Sequence, residues 1–110
     1  MRFVRNQNRK QQERVLLDTV VRKAAEVGFK VTAVYDGEEW VKFETTPTPE
    51  ELARVAFATD DAQVQFNGKQ WVFFVWGNGV DAATDWGVGN EAFAKAVEEA
   101  TQQVYEAFAP

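Results

Sequence analysis

Aspartates are the residues in this sequence best placed to do chemistry, because the side chains that most enzymes use are absent. The chain has no His, Cys or Ser, which excludes a Ser–His–Asp triad, a Cys–His pair and a Cys/His zinc site. Aspartates at expected strand ends and in glycine-containing loops could hold Mg²⁺ or Ca²⁺ through their oxygens; they are Asp60, Asp61, Asp81 and Asp85. Their spacing does not match an EF-hand loop, and turns favour Asp without any metal. We therefore predict no metal site, no cofactor, no catalytic residue and no enzymatic activity.

Two glycine-containing loops, 77–79 and 87–90, could present backbone N–H groups to an anion. The second precedes an expected helix, and helix N-termini favour anions. Neither loop has the lysine of a P-loop or the glycine spacing of a dinucleotide-binding turn. The sequence therefore does not predict a phosphate site.

Charge is distributed unevenly along the chain. Residues 1–14 contain five basic residues and one acidic residue, a charge of +4, and residues 15–110 contain seven basic and sixteen acidic residues, a charge of −9. This basic N-terminal arm or helix start could bind nucleic acid, and the candidate residues are Arg2, Arg5, Arg9 and Lys10. The alternative is a solvated helix surface, or an arm packed on its own acidic domain, whose charge repels phosphate.

The bulk composition is that of one globular domain spanning residues 1–110. The chain is 45% hydrophobic and 26% charged, with a mass of 12.4 kDa, which are globular values. No apolar run reaches the length of a membrane-spanning helix, and the N-terminal residues lack the apolar segment of a signal peptide. These features predict a cytoplasmic protein without membrane association.

Hydrophobic periodicity and turn residues predict three helices and four or five strands. The helices span residues 6–27, 49–58 and 91–109, and the strands span 29–35, 38–45, 62–66 and 69–76, with a fifth at 80–86. Thr48 and Glu51 are spaced as a capping box, and Asn90 is placed to cap the last helix. The pattern predicts an α+β fold, in which the helices cover one face of an antiparallel sheet in the order α-β-β-α-β-β-(β)-α.

A nine-residue segment occurs twice, at 35–43 and 66–74, with identical Gly, Trp, Val and Phe positions. This similarity indicates an internal strand–strand–helix duplication. The alternative is that two hairpins with similar turn requirements converged on similar residues.

The register of the first hairpin follows from its apolar residues. A three-residue loop at 35–37 pairs Phe29 with Phe43 and Val31 with Val41, which gathers the apolar side chains on one face. The core face of this hairpin would then consist of Val31, Ala33, Val41 and Phe43.

Three aromatic residues are the candidate partner-binding residues. If the second hairpin shares the register of the first, Trp40, Trp71 and Phe73 point away from the helices, and exposed aromatic patches mark interaction sites. A two-residue loop at Asn67-Gly68 would instead turn Trp71 and Phe73 toward the core. The sequence leaves both arrangements open.

The segment Trp71–Asp81 resembles small uncharacterised α+β proteins encoded by bacteriophages and prophages. The resemblance implies a phage association and no known activity. We expect a non-enzymatic protein-interaction module, a phage accessory protein that binds a host or phage protein through the aromatic sheet face and forms a homodimer. The alternative function is single-stranded nucleic-acid binding through the basic arm and Trp stacking.

Overall fold

A computed structural model describes the backbone of residues 2–109 and the side chains of residues 8–109. It confirms the predicted α+β class and element order. The elements are α1 (Arg2–Glu26), β1 (Val31–Tyr35), β2 (Trp40–Lys42), α2 (Pro49–Ala56), β3 (Asp61–Phe66), β4 (Gln70–Val75), a 3₁₀ turn (Gly79–Asp81), β5 (Ala83–Trp86) and α3 (Glu91–Ala107). The strands form a five-stranded antiparallel sheet in the order β2-β1-β3-β4-β5.

The helix ends follow the local signals in the sequence. Gly28 follows α1 with φ +92°, a left-handed conformation that glycine adopts without strain. The Thr48 hydroxyl accepts from the Glu51 N–H at 3.1 Å, and the Glu51 carboxylate accepts from the Thr48 N–H at 2.9 Å. The two bonds form the predicted capping box, and donation from the Thr48 N–H to the carboxylate lowers the pKa of Glu51. The Asn90 side chain caps α3 by accepting from the Phe93 N–H.

Three elements have a boundary that differs by three residues or more from the predicted one. Helix α1 begins at Arg2 rather than at residue 6. Strand β2 begins at Trp40, after a longer loop than predicted, and ends at Lys42 instead of residue 45. The fifth strand begins at Ala83, since Gly79–Asp81 forms a 3₁₀ turn instead of extended chain.

The hydrophobic core lies between one face of the sheet and the helices. Leu16, Leu17 and Val20 of α1 are fully buried. Phe93 of α3 contacts Phe66 of β3, with ring centroids 5.2 Å apart. The short helix α2 joins the same cluster through Leu52, Ala53 and Ala56. All three helices therefore cover the same side of the sheet.

The predicted register of the first hairpin is wrong. Val34 lies opposite Val41, and Tyr35 lies opposite Trp40, so four residues form the loop. The Asp36 carboxylate accepts from the N–H groups of Glu38 and Glu39, each at 2.9 Å, and this closes the longer loop. The bonds from the Glu39 and Glu38 N–H groups lower the pKa of Asp36.

A β-bulge in β1 changes which residues face the helices. Val31 pairs with Phe66, whereas Ala33 pairs with Gln65, so Thr32 is the extra residue. The Thr32 hydroxyl lies 3.2 Å from Oε1 of Gln65. Ala33 is buried, as predicted, but it lies on the face opposite the helices, which corrects its predicted side of the sheet.

The second hairpin settles the orientation that the sequence leaves open. Asn67 and Gly68 have φ of +52° and +69°, and the Lys69 N–H donates to the Phe66 carbonyl, as in a type I′ turn. Phe66 pairs with Gln70, so the loop has three residues. The first residue of each repeated segment pairs differently: Tyr35 pairs with the sixth residue, Trp40, whereas Phe66 pairs with the fifth, Gln70. The two hairpins therefore do not share a register, and that expectation is wrong.

Trp71 and Phe73 consequently point away from the helices. The intervening Val72 and the following Phe74 are both completely buried, and neighbouring residues of a strand point to opposite faces. Of the two arrangements that the sequence allows, the structure therefore has the one in which both rings face away from the helices.

Candidate functional site

One face of the sheet is not covered by the helices, and we call it the open face. Its members are Trp40 and Lys42 of β2, Ala33 and Tyr35 of β1, Gln63 and Gln65 of β3, Trp71 and Phe73 of β4, and Asp85 of β5. The structure thus brings together the three predicted partner-binding residues. It places beside them Tyr35, which the sequence analysis did not single out, and Asp85, which the sequence analysis considered only as a metal ligand.

The strand register arranges the open face in two rows across the sheet. One row runs in the order Trp40, Tyr35, Gln63, Phe73, Asp85. Tyr35 and Trp40 are in ring contact, with centroids 5.2 Å apart. The row therefore has aromatic side chains on both sides of a central glutamine.

The second row contains Lys42, Ala33, Gln65 and Trp71 in that order. The Trp71 indole leans over Gly87, where an added Cβ would lie 3.1 Å from Nε1. The missing side chain at Gly87 thus leaves room for the ring at the β5 edge. The second row therefore has a small residue, Ala33, on one side of β3 and a large ring on the other. Ala33 is 1% exposed.

Exposure on the open face suits an interaction surface. Trp40 is 39% exposed, and Tyr35, Trp71 and Phe73 are half-buried. The charged residues Lys42 and Asp85 are exposed on opposite outer strands. The rings of Tyr35, Trp71 and Phe73 therefore lie between two charged edges, as apolar residues do in many protein interfaces, whereas Trp40 is itself on the edge strand β2.

A separate cleft of about 850 Å³ lies beside the N-terminal half of α1, lined by Arg9, Lys10, Glu13, Arg14, Phe57, Thr59, Asp60, Trp76 and Gly77. Arg14 is engaged by Asp18 at 3.1 Å and by Glu50 at 3.7 Å. Arg9 and Lys10 are exposed and form no ion pair with any described side chain. The side chains of Arg2 and Arg5 lie outside the described residues.

Trp76 has a structural role in this cleft. Its indole N–H donates to the Ala56 carbonyl at 2.7 Å. Its ring packs against Phe57 at 4.2 Å and Phe74 at 5.0 Å between centroids. These contacts fix the end of α2 on the sheet and leave Trp76 poorly suited to stacking on a base.

The loop at residues 77–79 does bind an anion, and that anion is the chain's own Glu13 carboxylate. Oε2 of Glu13 accepts from the Gly77 N–H and, at 2.9 Å, from the Gly79 N–H. Glu13 is only 5% exposed, so its negative charge is buried with backbone donors as partners. The sequence analysis missed this role, because the two donors are 64 and 66 residues away from Glu13 in the chain.

Gly79 has a steric role beside Glu13. Its φ is +61°, and a Cβ at this position would lie 2.5 Å from Oε1 of Gln12. Because Oε1 is the end of a flexible side chain that can move aside, the preference for glycine at this position comes mainly from the positive φ.

The candidate aspartates are not brought together. Among residues 8–109, no three Asp or Glu side chains converge in a group that could hold a metal ion. Asp60 lines the cleft, Asp81 ends the 3₁₀ turn, and Asp85 lies on the open face. The structure thus gives these carboxylates three separate locations.

No described helix is long and apolar enough to cross a membrane. The similarity to phage-encoded proteins stays a prediction. Compared with models of protein families, with curated proteins and with solved structures, the chain has no significant match.

Proposed function

We propose that this chain is a non-enzymatic interaction module that binds a protein surface through the open face. The observation that carries this proposal is the placement of Trp40, Trp71 and Phe73 on the side of the sheet that the helices leave uncovered. Trp is enriched among the residues that contribute most to binding energy.

The geometry supports binding more than reaction chemistry. The aromatic side chains stand on both sides of the central strand β3, on β2 and β1 on one side and on β4 on the other. Aromatic side chains have few rotatable bonds, so little side-chain entropy is lost when a partner covers them. Gln63 and Gln65 between them supply amide donors and acceptors. A partner can therefore bury the rings while the amides retain hydrogen bonds.

The proposal predicts that replacing both Trp40 and Trp71 with alanine weakens association by at least about 30-fold, the effect of losing a single hot spot of about 2 kcal/mol. The strength of association is measured by capture of proteins from a bacterial lysate and by sedimentation of the purified chain. Tyr105→Ala is the matched control, since Tyr105 is 56% exposed on α3. Circular dichroism should show unchanged helicity in both variants.

Equal capture and equal sedimentation by wild type and by the Trp40→Ala, Trp71→Ala variant would contradict the proposal. Loss of association in Tyr105→Ala alone would place the interface on the helical side. The resemblance at Trp71–Asp81 supports a host or phage protein as the partner class and cytoplasm as the location.

Single-stranded nucleic-acid binding is the second candidate function. It is favoured by the cleft, where Arg9 and Lys10 are exposed without a carboxylate partner among the described side chains. It ranks second because the open-face Trp residues lie across the sheet from α1, and Trp76 is already packed. Binding would therefore depend on phosphate contacts with little base stacking.

This second candidate predicts a salt-sensitive affinity for single-stranded DNA or RNA. Replacing Arg9 and Lys10 with glutamine should reduce the slope of log affinity against log salt concentration by about 1.4, the effect of two phosphate contacts. Lys69→Gln, at an exposed turn, is the control and should leave the slope unchanged. Fluorescence anisotropy that shows no binding at low salt would exclude this function.

A further inference from the structure

We infer that the open face is covered by the same face of a second copy, related by a two-fold axis parallel to β3. The inference rests on the proposed function, because it names the partner of that same surface. Its basis is the order of the strands and the chemistry of the residues on each. With β3 central in the order β2-β1-β3-β4-β5, such an axis places β1 over β4 and β2 over β5 of the second copy.

A residue on a two-fold axis contacts the same residue of the second copy, so its side chain must be able to pair with an identical side chain. Gln63 and Gln65 are the open-face residues of β3. A carboxamide carries both donors and acceptors, so each glutamine can hydrogen-bond to its copy. A charged residue at either position would face a like charge.

The next strands outward are complementary in size and type. The rotation places Ala33 of β1 over Trp71 of β4, and Tyr35 over Phe73. Ala33 is already covered by side chains of its own chain, so the Trp71 ring would pack on the side chains that flank Ala33. Stacked sheets lie about 10 Å apart, which leaves room for one indole at this position, whereas two opposed indoles would collide. Tyr35 opposite Phe73 forms an aromatic pair, which is favourable in offset or edge contact.

The outermost strands are complementary in charge. Strand β2 carries Lys42, and β5 carries Asp85. The rotation places β2 over β5, with Asp85 one row away from Lys42 and directly opposite Trp40. The lysine side chain can reach the carboxylate, and the Trp40 indole N–H is a further donor. Opposite charges at the two edges favour this register and disfavour one that places β2 over β2.

The most specific test uses Gln63, one of the two glutamines on the axis. Gln63→Glu and Gln63→Lys each place a like-charge pair at the centre of the dimer, so each variant should self-associate at least about tenfold more weakly than wild type. An equimolar mixture of the two variants should restore association, because Glu then faces Lys. Sedimentation velocity over a concentration series measures all three samples. Gln103→Glu and Gln103→Lys, at an exposed position of α3, are the matched controls.

Weak association of each Gln63 variant with recovery in the mixture would support the inference. A wild-type dimer that is insensitive to both substitutions uses another surface and would overturn it. A wild-type chain that is monomeric at every concentration would also overturn it. In that last case, loss of lysate capture in the Trp40→Ala, Trp71→Ala variant would show that the proposed function still holds with a different partner.

Discussion

Replacing Phe93 with alanine is expected to lower the free energy of unfolding by about 3–5 kcal/mol, the usual cost of deleting a buried Phe side chain. Phe93 is completely buried, and its ring centroid lies 5.2 Å from those of Phe29 and Phe66. It thus joins α3 to the α1–β1 connection and to the central strand. A domain of this size has a total stability of about 5–15 kcal/mol, so the loss would bring the variant close to unfolding.

Urea denaturation measures the effect of Phe93→Ala. The control is Tyr105→Ala in the same helix, where the side chain is exposed and the expected change is within about 0.5 kcal/mol. A loss below about 1 kcal/mol in Phe93→Ala would show that the helices do not pack on the sheet as described.

Replacing Glu13 with alanine is expected to cost about 3 kcal/mol, since hydrogen bonds to a charged group contribute about 1.5–3 kcal/mol each. The substitution removes the acceptor for the Gly77 and Gly79 N–H groups and leaves a cavity between α1 and the loop. The loop joins β4 to the 3₁₀ turn, so β5 should lose hydrogen-exchange protection first.

Glu13→Gln is the matched control for the charge. It retains an oxygen that can accept the same bonds, so the expected loss in urea denaturation is smaller, about 1 kcal/mol. Added formate should raise the melting temperature of Glu13→Ala more than that of wild type, because its carboxylate can occupy the vacated N–H groups. Equal stability of the Ala and Gln variants would contradict the account of this buried carboxylate.

The helices and the fold class could be predicted from the sequence because their signals are local. The Thr48 and Glu51 capping box, Gly28 after α1 and Asn90 before α3 each act within a few residues. The strand registers were less predictable. The Asp36 carboxylate lengthens the first loop, and the bulge at Thr32 depends on pairing with β3, a strand distant in sequence.

The open face could be predicted only in part. Alternation in β4 places Trp71 and Phe73 together on one face, but which face depends on the turn at Asn67 and Gly68, where two loop lengths were compatible with the residues. The burial of Glu13 was not predictable, because its partners Gly77 and Gly79 are more than 60 residues away in the chain. A long-range contact of this kind leaves no periodic pattern in the sequence.

The open face carries four aromatic side chains and two exposed charged residues, Lys42 and Asp85. Its rings are held by a sheet whose opposite face is fully packed, and its charges stand at the two edges. Trp40 and Asp85 belong to the outer strands, so the surface extends across the whole sheet. A partner that covers only one hairpin would leave half of the rings exposed.

Hydroxyl-radical footprinting of the native chain tests the central claim most directly, because it reports which side chains are covered without any substitution. Labelling of Trp40, Trp71 and Tyr105 is compared between the dilute chain and the associated or partner-bound state. We predict that Trp40 and Trp71 lose most of their labelling and that Tyr105 keeps its own. Unchanged labelling of Trp40 together with protection of Tyr105 would contradict the account.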